Sequence, residues 1–304
     1  MKGRIINLVG GVYKVLLEDG NTVSIKARGR LRAEKKIEIN EKSKSTKASI
    51  QTVKNSPKVG DIVLIENEMI SKIMERKNSL VRPDIANVDQ ILLVFASKEP
   101  DFSFYLLDLF LVNILKQKIE PVIVITKIDI LSDLELKDFK EKMSYYEKIG
   151  FKVIYVSSKN NIGIDEVAKA LENKITVLSG QTGAGKSTLI NALIPEFDLQ
   201  TQEISYALGR GKHTTRETNL YLYNGGFIGD TPGFSKLDLL GIDEESLKGL
   251  FIEFKNYNCR FKDCNHKENI LGCGVKEAAL NGDILKTRYD SYIRMLNELL
   301  RRKK

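Results

Sequence analysis

The feature that most restricts the fold is Gly180-Gln181-Thr182-Gly183-Ala184-Gly185-Lys186-Ser187, a GxxxxGK[ST] run between the apolar KITVLSG and a helical stretch from about Lys186 to Leu193. Glycines so spaced let the backbone turn tightly and aim its NH groups inward, and the helix that follows adds the positive end of its dipole. Such a loop belongs at the carboxyl end of a parallel strand, so the surrounding chain must supply a parallel sheet. From Asp89 it does: QILLVFAS, PVIVITK, FKVIYVSS and KITVLSG read as buried strands, alternating with the helical segments FSFYLLDLFLVNILKQ, LELKDFKEKMSYYEKIG and IDEVAKALEN. Apolar strands separated by helices predict a parallel sheet covered on both faces. A hairpin is expected across Tyr223-Asn224-Gly225-Gly226, leading into GFIGDTPGF.

The loop from Gly180 through Lys186, Ser187 and Thr188 suits a nucleotide triphosphate. Its amides would cradle the phosphates, Lys186 would reach the β- and γ-phosphates, and the Ser187 hydroxyl would bind Mg²⁺. Asp230-Thr231-Pro232-Gly233 follows an apolar run as a DxxG element does. There Asp230 would contact Mg²⁺ through water and the Gly233 NH would sense the γ-phosphate. Thr126-Lys127-Ile128-Asp129 closes the strand PVIVI, where a base-reading loop belongs. A carboxylate at Asp129 can accept both the ring NH and the exocyclic amine of guanine, and adenine offers no such donor pair, so GTP and GDP are expected in preference to ATP. Lys127 can lay its stem along the purine, and Ser157-Ser158-Lys159, closing another strand, can offer an NH to the guanine carbonyl. Ordinary G proteins carry NKxD and SAK at these places; Thr126 and Ser158 depart from them.

Order is the decisive observation. The motifs at 126 and 157 precede the phosphate loop at 180, and DTPG follows at 230, so the usual order is circularly permuted. A sheet is held by spatial contacts, and joining its natural ends while cutting elsewhere preserves the site. The cut leads the DxxG region directly into the carboxyl-terminal segment, which is expected to couple the γ-phosphate to that segment.

The flanks differ from this centre. GRIINLVG, GVYKVLLEDG with its Asp19-Gly20 turn, NTVSIKARG and GDIVLIEN read as short strands of a small barrel such as an OB-fold, with Glu34 to Pro57 expected as a long mobile loop within it. Of the net charge of +8, residues 26–58 carry eleven Lys or Arg against three acidic residues, and residues 255–304 twelve against six. The rest is mildly acidic, so a polyanion held by the two ends is the expected partner, with Arg28, Arg30 and Arg32 as RNA contacts. All three cysteines lie in Cys259-x4-Cys264-x-His266-x6-Cys273, a Cys3His set suited to tetrahedral structural Zn²⁺. Clustered cysteines of odd number fit metal in a reducing compartment better than disulfides, so a cytoplasmic protein is expected. The most apolar helix candidate, Phe102 to Leu115, is short and carries Asp108 and Asn113, so no membrane association is expected.

With these motifs in place the chain resembles the circularly permuted, small-ribosomal-subunit-dependent GTPases of bacteria, a family of ribosome assembly factors. The resemblance covers nearly the whole chain. It rests on Glu75-Arg76-Lys77-Asn78, Leu80-Val81-Arg82-Pro83, Ala86-Asn87-Val88-Asp89-Gln90, GQTGAGKS, Gly209-Arg210-Gly211-Lys212-His213-Thr214-Thr215-Arg216, DTPGF and the Cys/His cluster. It implies a multidomain α/β protein: an OB-fold over 1–72, a permuted P-loop GTPase domain over 73–240 and a helical zinc-binding domain over 241–304. It also implies action in late maturation of the small subunit, with rRNA as partner and GTP hydrolysis stimulated by the subunit; a monomer is expected. Where many G proteins place a water-orienting glutamine, this chain has Phe234. His213 resembles the family's proposed catalytic histidine, although a histidine in that segment could equally contact the ribosome, and Lys186 is the second catalytic candidate. Thr214 or Thr215 should contact Mg²⁺, and the sequence does not choose between them. The spacing before Cys273 is one residue longer than the family's pattern. A competing reading is a GTP-gated RNA-binding adaptor whose slow hydrolysis is incidental.

Overall fold

The computed structural model describes residues 1–32, 34–38, 49–53, 56–81, 83–194, 218–230, 238–239 and 241–302, with the backbone alone at 30, 32, 34–38, 49–53 and 230. Strands β1 (Lys2–Val9), β2 (Val12–Leu17) and β3 (Thr22–Ala27) form a meander. Two further strands, β6 (Ile62–Glu66) and β7 (Met69–Ile73), complete the cylinder: β7 runs parallel to β3 and β6 returns to β1. Closure leaves no free edge in this five-stranded barrel. Alternate residues Ile5, Tyr13, Val15, Ile25, Val63 and Ile70 fill its interior. The last strand, MISKI, was not among the four expected.

Another difference lies between β3 and β6. The polar stretch expected as a loop contains β4 (Glu34–Glu38) and β5 (Ser49–Val53), an antiparallel pair with Ile37 opposite Ile50. Ile37, Ile50, Thr52 and Val53 are β-branched residues that favour strand once a partner ladder exists, and lysine and serine around them hide that preference in a one-dimensional reading.

The central sheet is built from β8 (Gln90–Ala96), β9 (Glu120–Thr126), β10 (Lys152–Tyr155), β11 (Ile175–Gly180), β12 (Asn219–Tyr223) and β13 (Gly226–Asp230) in the order β10-β9-β8-β11-β13-β12. All are parallel except the edge strand β12, which pairs with β13 through the expected two-residue turn. Both central turn residues, Asn224 and Gly225, have positive φ (44° and 72°), as a type I′ hairpin requires. Every residue of β8 is buried. Ile91, Leu93 and Phe95 face one core and Leu92, Val94 and Ala96 the other, the period-2 signature of a doubly covered strand.

Helices α1 (Phe104–Lys116) and α2 (Asp133–Lys148) cover the first face, and α3 (Ile164–Leu171) and α4 (Lys186–Leu193) the second. Ser132 and Glu135 cap α2 reciprocally. α1 is apolar nearly all round because it is buried twice. Leu107, Leu111 and Ile114 join the sheet core, while Leu109 and Val112 join the core of the carboxyl-terminal helices α5 (Glu244–Leu250), α6 (Gly274–Asn281) and α7 (Lys286–Arg302). No helix among the described residues is long and apolar enough to cross a membrane.

The segment between barrel and sheet, which carries ERKN and ANVDQ, is a polar brace. Arg76 grips the fully buried Asp61 with two bonds of 2.7 Å. The Asn78 side chain donates to the Val88 carbonyl (2.6 Å) and accepts from the Val88 NH (2.9 Å). Asn87 donates to the Gly60 carbonyl, and Asp89 accepts from the Ile175 NH at 2.8 Å. Gly60 has φ +90°, and a Cβ there would lie 2.0 Å from the Ala86 oxygen, so only glycine fits.

Candidate nucleotide site and metal centre

Because β8, β9, β10 and β11 run parallel, the loops that follow them open on one edge of the sheet. β11 delivers the glycine loop. Gly180, paired with Val94, has φ +124°, and a Cβ would meet the Val94 oxygen at 2.0 Å; Gly183 and Gly185 have φ +78° and +83°. Among the described residues the amides of Thr182, Gly183 and Gly185 find no acceptor, whereas Gln181 NH donates to the Val94 oxygen and Ala184 NH to the Gln181 oxygen. The Lys186 ammonium folds over the loop onto the Gly180 oxygen (3.2 Å) and the Gln181 oxygen (2.6 Å), and its half-burial lowers its pKa. Ser187 and Thr188 are exposed on the first turn of α4.

β9 delivers TKID. Thr126 is only 3% exposed, and its hydroxyl lies 2.5 Å from the Ala184 oxygen and 3.1 Å from the Phe95 oxygen. It therefore clasps the glycine loop instead of facing the open site, and the departure from asparagine keeps a link between the two loops. Lys127 sits in the left-handed region (φ 57°), with its carbonyl held by the Ser97 hydroxyl at 2.9 Å. Asp129 is exposed, and its Oδ1 accepts from the buried Ser157 hydroxyl at 2.7 Å. That bond ties the loop after β10 to the loop after β9 and leaves Oδ2 free of any partner among the described residues. Ser158 is half-buried and Lys159 exposed beside it.

The segment after β8 belongs to none of the motifs above. It lines the site nonetheless: Gln181 donates to the Asp101 carbonyl at 3.0 Å, and Lys127 donates to the Glu99 carbonyl. Its signal was available in its position at the carboxyl end of the most buried strand. Asp230 ends β13, parallel to β11. His213, Thr214, Thr215 and Gly233 lie outside the described residues.

The profile of the RsgA GTPase family matches residues 73–240. The chain belongs to that family. The small ribosomal subunit biogenesis GTPase RsgA of Phytoplasma australiense is 44% identical over 312 residues, covering 100% of this chain and 98% of its own. Among solved structures, YjeQ from Thermotoga maritima superposes with a TM-score of 0.80 at 33% identity, covering 98% of both chains. YloQ, described as a circularly permuted GTPase, gives 0.77 at 33% identity over 100% of this chain and 96% of its own. The fold is thus the circularly permuted GTPase fold of this family, with an amino-terminal barrel and a carboxyl-terminal Cys3His site.

In that carboxyl-terminal site the donor atoms of Cys259, Cys264, His266 and Cys273 all lie within 4.8 Å of one another. Cys259 Sγ is 3.4 Å from His266 Nδ1 and 3.9 Å from Cys273 Sγ, and Cys273 Sγ is 3.5 Å from His266 Nδ1. A tetrahedral zinc with sulfur and nitrogen ligands has edges of about 3.5 to 3.8 Å, so the donor set fits. The extra residue before Cys273 does not keep the loop from closing; Gly272 turns with φ +70°, and Arg260 NH donates to its carbonyl at 2.8 Å. Tyr289 and Tyr292 of α7 donate to the His266 and Asn265 carbonyls (2.7 and 2.8 Å), fixing the loop on the helix. Burial, reinforced by Lys248, lowers the His266 pKa to about 4 and keeps the imidazole neutral for ligation, while burial pushes the Cys273 thiol up to about 12. A divalent cation among the donors would reverse that last shift and hold the thiolate.

The expected RNA contacts are less defined. Arg28 is partly exposed and lies 3.7 Å from Glu66. The Arg30 and Arg32 side chains lie outside the described set.

Proposed function

We propose that this chain binds GTP at the edge of the parallel sheet, hydrolyses it to GDP and phosphate, and acts in late maturation of the small ribosomal subunit, which stimulates its turnover. The observation that carries the reading is the Thr126–Ala184 contact, because it brings the guanine-type loop and the phosphate loop of the permuted sequence into one site. The relatives' name, small ribosomal subunit biogenesis GTPase, supports the partner. In this reading Asp129, oriented by Ser157, accepts the guanine NH groups, Lys127 lies along the base, and the loop of Ser158 and Lys159 faces the guanine carbonyl. The loop 180–188 holds the triphosphate through its free amides at Thr182, Gly183 and Gly185 and through Lys186. Ser187, Asp230 and Thr214 or Thr215 hold Mg²⁺, which neutralises charge on the β- and γ-phosphates. His213 orients the attacking water in place of the absent glutamine, and the Gly233 NH senses the γ-phosphate. Cys259, Cys264, His266 and Cys273 hold one structural zinc. The three functional units, 1–72, 73–240 and 241–304, divide the work between RNA, nucleotide and RNA, and the protein acts as a cytoplasmic monomer with Arg28, Arg30 and Arg32 on rRNA.

The test is GTP turnover with small subunits, large subunits or neither. Activators raise GTPase rates by roughly 10³ to 10⁵, and acceleration by small subunits alone is expected. Equal rates in all three arms overturn the catalytic part and favour a GTP-gated adaptor. His213→Ala should bind GTP as before and lose the stimulated turnover; unchanged stimulation removes His213 from the mechanism.

A further inference from the structure

Phe261 is about half exposed at 51%, unusual for a phenylalanine with a packed aromatic core close by. The chain gives it no alternative. It stands between Cys259 and Cys264, both of which point into the Cys3His centre, so the loop tip is tethered at each end and its ring cannot turn inward. The ring sits at the mouth of a cavity of about 390 Å³ floored by the buried Phe254 and walled by Tyr257 and the metal-centre residues. Lys255 and Lys262 line the same cavity, both exposed and without an ion pair among the described residues. Lys248 also lines it, paired with Glu245 at 2.7 Å. Arg260 places its guanidinium 5.6 Å from the Phe261 ring centroid.

An exposed aromatic ring flanked by unpaired cations over a cavity is the pattern of single-stranded nucleic acid recognition. A base stacks on the ring while its phosphates meet the cations. Protein interfaces, by contrast, are depleted of lysine around their aromatic anchors. The cavity is large enough to admit a base, and the Cys3His centre behind it supplies rigidity. We propose that this cavity beside the Cys3His centre captures one unstacked base of single-stranded RNA, with Phe261 as the stacking platform and Lys255 and Lys262 on the flanking phosphates. This rests on the reading above that RNA of the small subunit is the partner.

The chain has no tryptophan, so Phe261→Trp places a unique fluorophore at the platform. In the full-length, metal-loaded protein, titration with a twelve-residue oligouridylate should quench that emission at saturation, and a duplex RNA of equal length should not. Phe261→Ala should weaken oligouridylate binding roughly tenfold, the worth of one stacked base, with its metal content and salt dependence unchanged. Lys255→Gln and Lys262→Gln should each lower the salt slope by about one. Unquenched Phe261→Trp at saturating RNA, or Phe261→Ala binding as tightly as the unaltered protein, overturns the proposal. So does a Phe261→Ala protein that keeps RNA affinity and loses only stimulation by subunits, because the ring then meets a ribosomal protein. If the unaltered protein shows no stimulation by small subunits, the functional reading fails, and the quenching titration still decides the cavity.

Discussion

Replacing Arg288 with methionine should destabilise the protein more than any exposed substitution, and the structure sets the scale. The guanidinium is completely buried. Its Nε donates to Glu253 Oε1 at 2.8 Å, Nη2 to Glu253 Oε2 at 3.3 Å, and Nη1 to Asp108 Oδ1 at 2.7 Å, which also accepts from the Tyr146 hydroxyl at 2.8 Å. Its Cζ lies 4.3 Å from the Phe251 centroid. Methionine can fill the stem's volume, but it leaves two buried carboxylates without their cation. Removing one partner of a buried pair costs about 3 to 5 kcal/mol. Burial already raises the Asp108 pKa above its ordinary value, and the attraction of Arg288 opposes that rise; without Arg288 the rise grows and the carboxyl takes up a proton on folding. A folded state that binds more protons than the unfolded chain loses stability as pH rises above the unfolded value, so the penalty should be larger at pH 8 than at pH 5. Urea unfolding followed by circular dichroism at both pH values measures this. Adding Glu253→Gln to Arg288→Met should recover part of the loss, because one uncompensated charge is gone. A loss below about 1 kcal/mol at pH 8, or a penalty that shrinks as pH rises, would refute the reasoning.

On the proposed reading Asp129 accepts two charge-assisted bonds from guanine, so Asp129→Asn should lower GTP affinity at least roughly 100-fold, while xanthosine triphosphate, with a carbonyl where guanine has an amine, should gain; competition with a labelled guanine nucleotide measures both. Thr126→Val leaves the Ala184 carbonyl without its hydroxyl donor. At about 1 to 3 kcal/mol for an orphaned buried acceptor, GTP affinity should drop on the order of tenfold, and Thr126→Asn, whose amide can donate, should drop less. Chelation, or Cys264→Ser, removes on the order of 10 kcal/mol of metal-linked folding energy. Amides of α6 and α7 should then lose hydrogen-exchange protection while those of the barrel keep it.

Local chemistry was legible in the sequence and distant partnership was not. The glycine loop could be read because strand, turn and helix are adjacent in the chain, and the Asn224-Gly225 hairpin because its dihedral demand falls on two neighbouring residues. The Cys/His centre was legible because ligand chemistry leaves few other uses for three clustered cysteines. Thr126 registered as a departure from a motif, since its partner Ala184 is 58 residues away. Arg288 counted merely as one positive charge of a basic tail; its acceptor on Asp108 is 180 residues upstream. ERKN and ANVDQ could be matched to a family without yielding their work, because Arg76 acts through Asp61 and Asn78 through Val88. β4 and β5 escaped for the same reason: each makes sense as a strand only against the other.

The permutation has a mechanical consequence that the strand order makes explicit. Cutting the sheet where this chain is cut leaves β12 and β13 last in sequence, with β13 beside the phosphate-loop strand β11 and β12 outside β13. β12 is an edge strand, and the barrel occupies that edge: Asn7 of β1 pairs with Asn219, and their side chains are hydrogen-bonded. β13 ends at Asp230, and the chain beyond it leads to α5, α6 and α7, which pack on α1 through Leu109 and Val112. One hairpin is therefore held by the barrel along one side and followed in the chain by the Cys3His segment and the carboxyl-terminal helices. A displacement of β12 must either break the Asn7–Asn219 pairing or carry β1 with it. In an unpermuted order the chain would leave the sheet elsewhere, and this hairpin would not lead into the carboxyl-terminal helices.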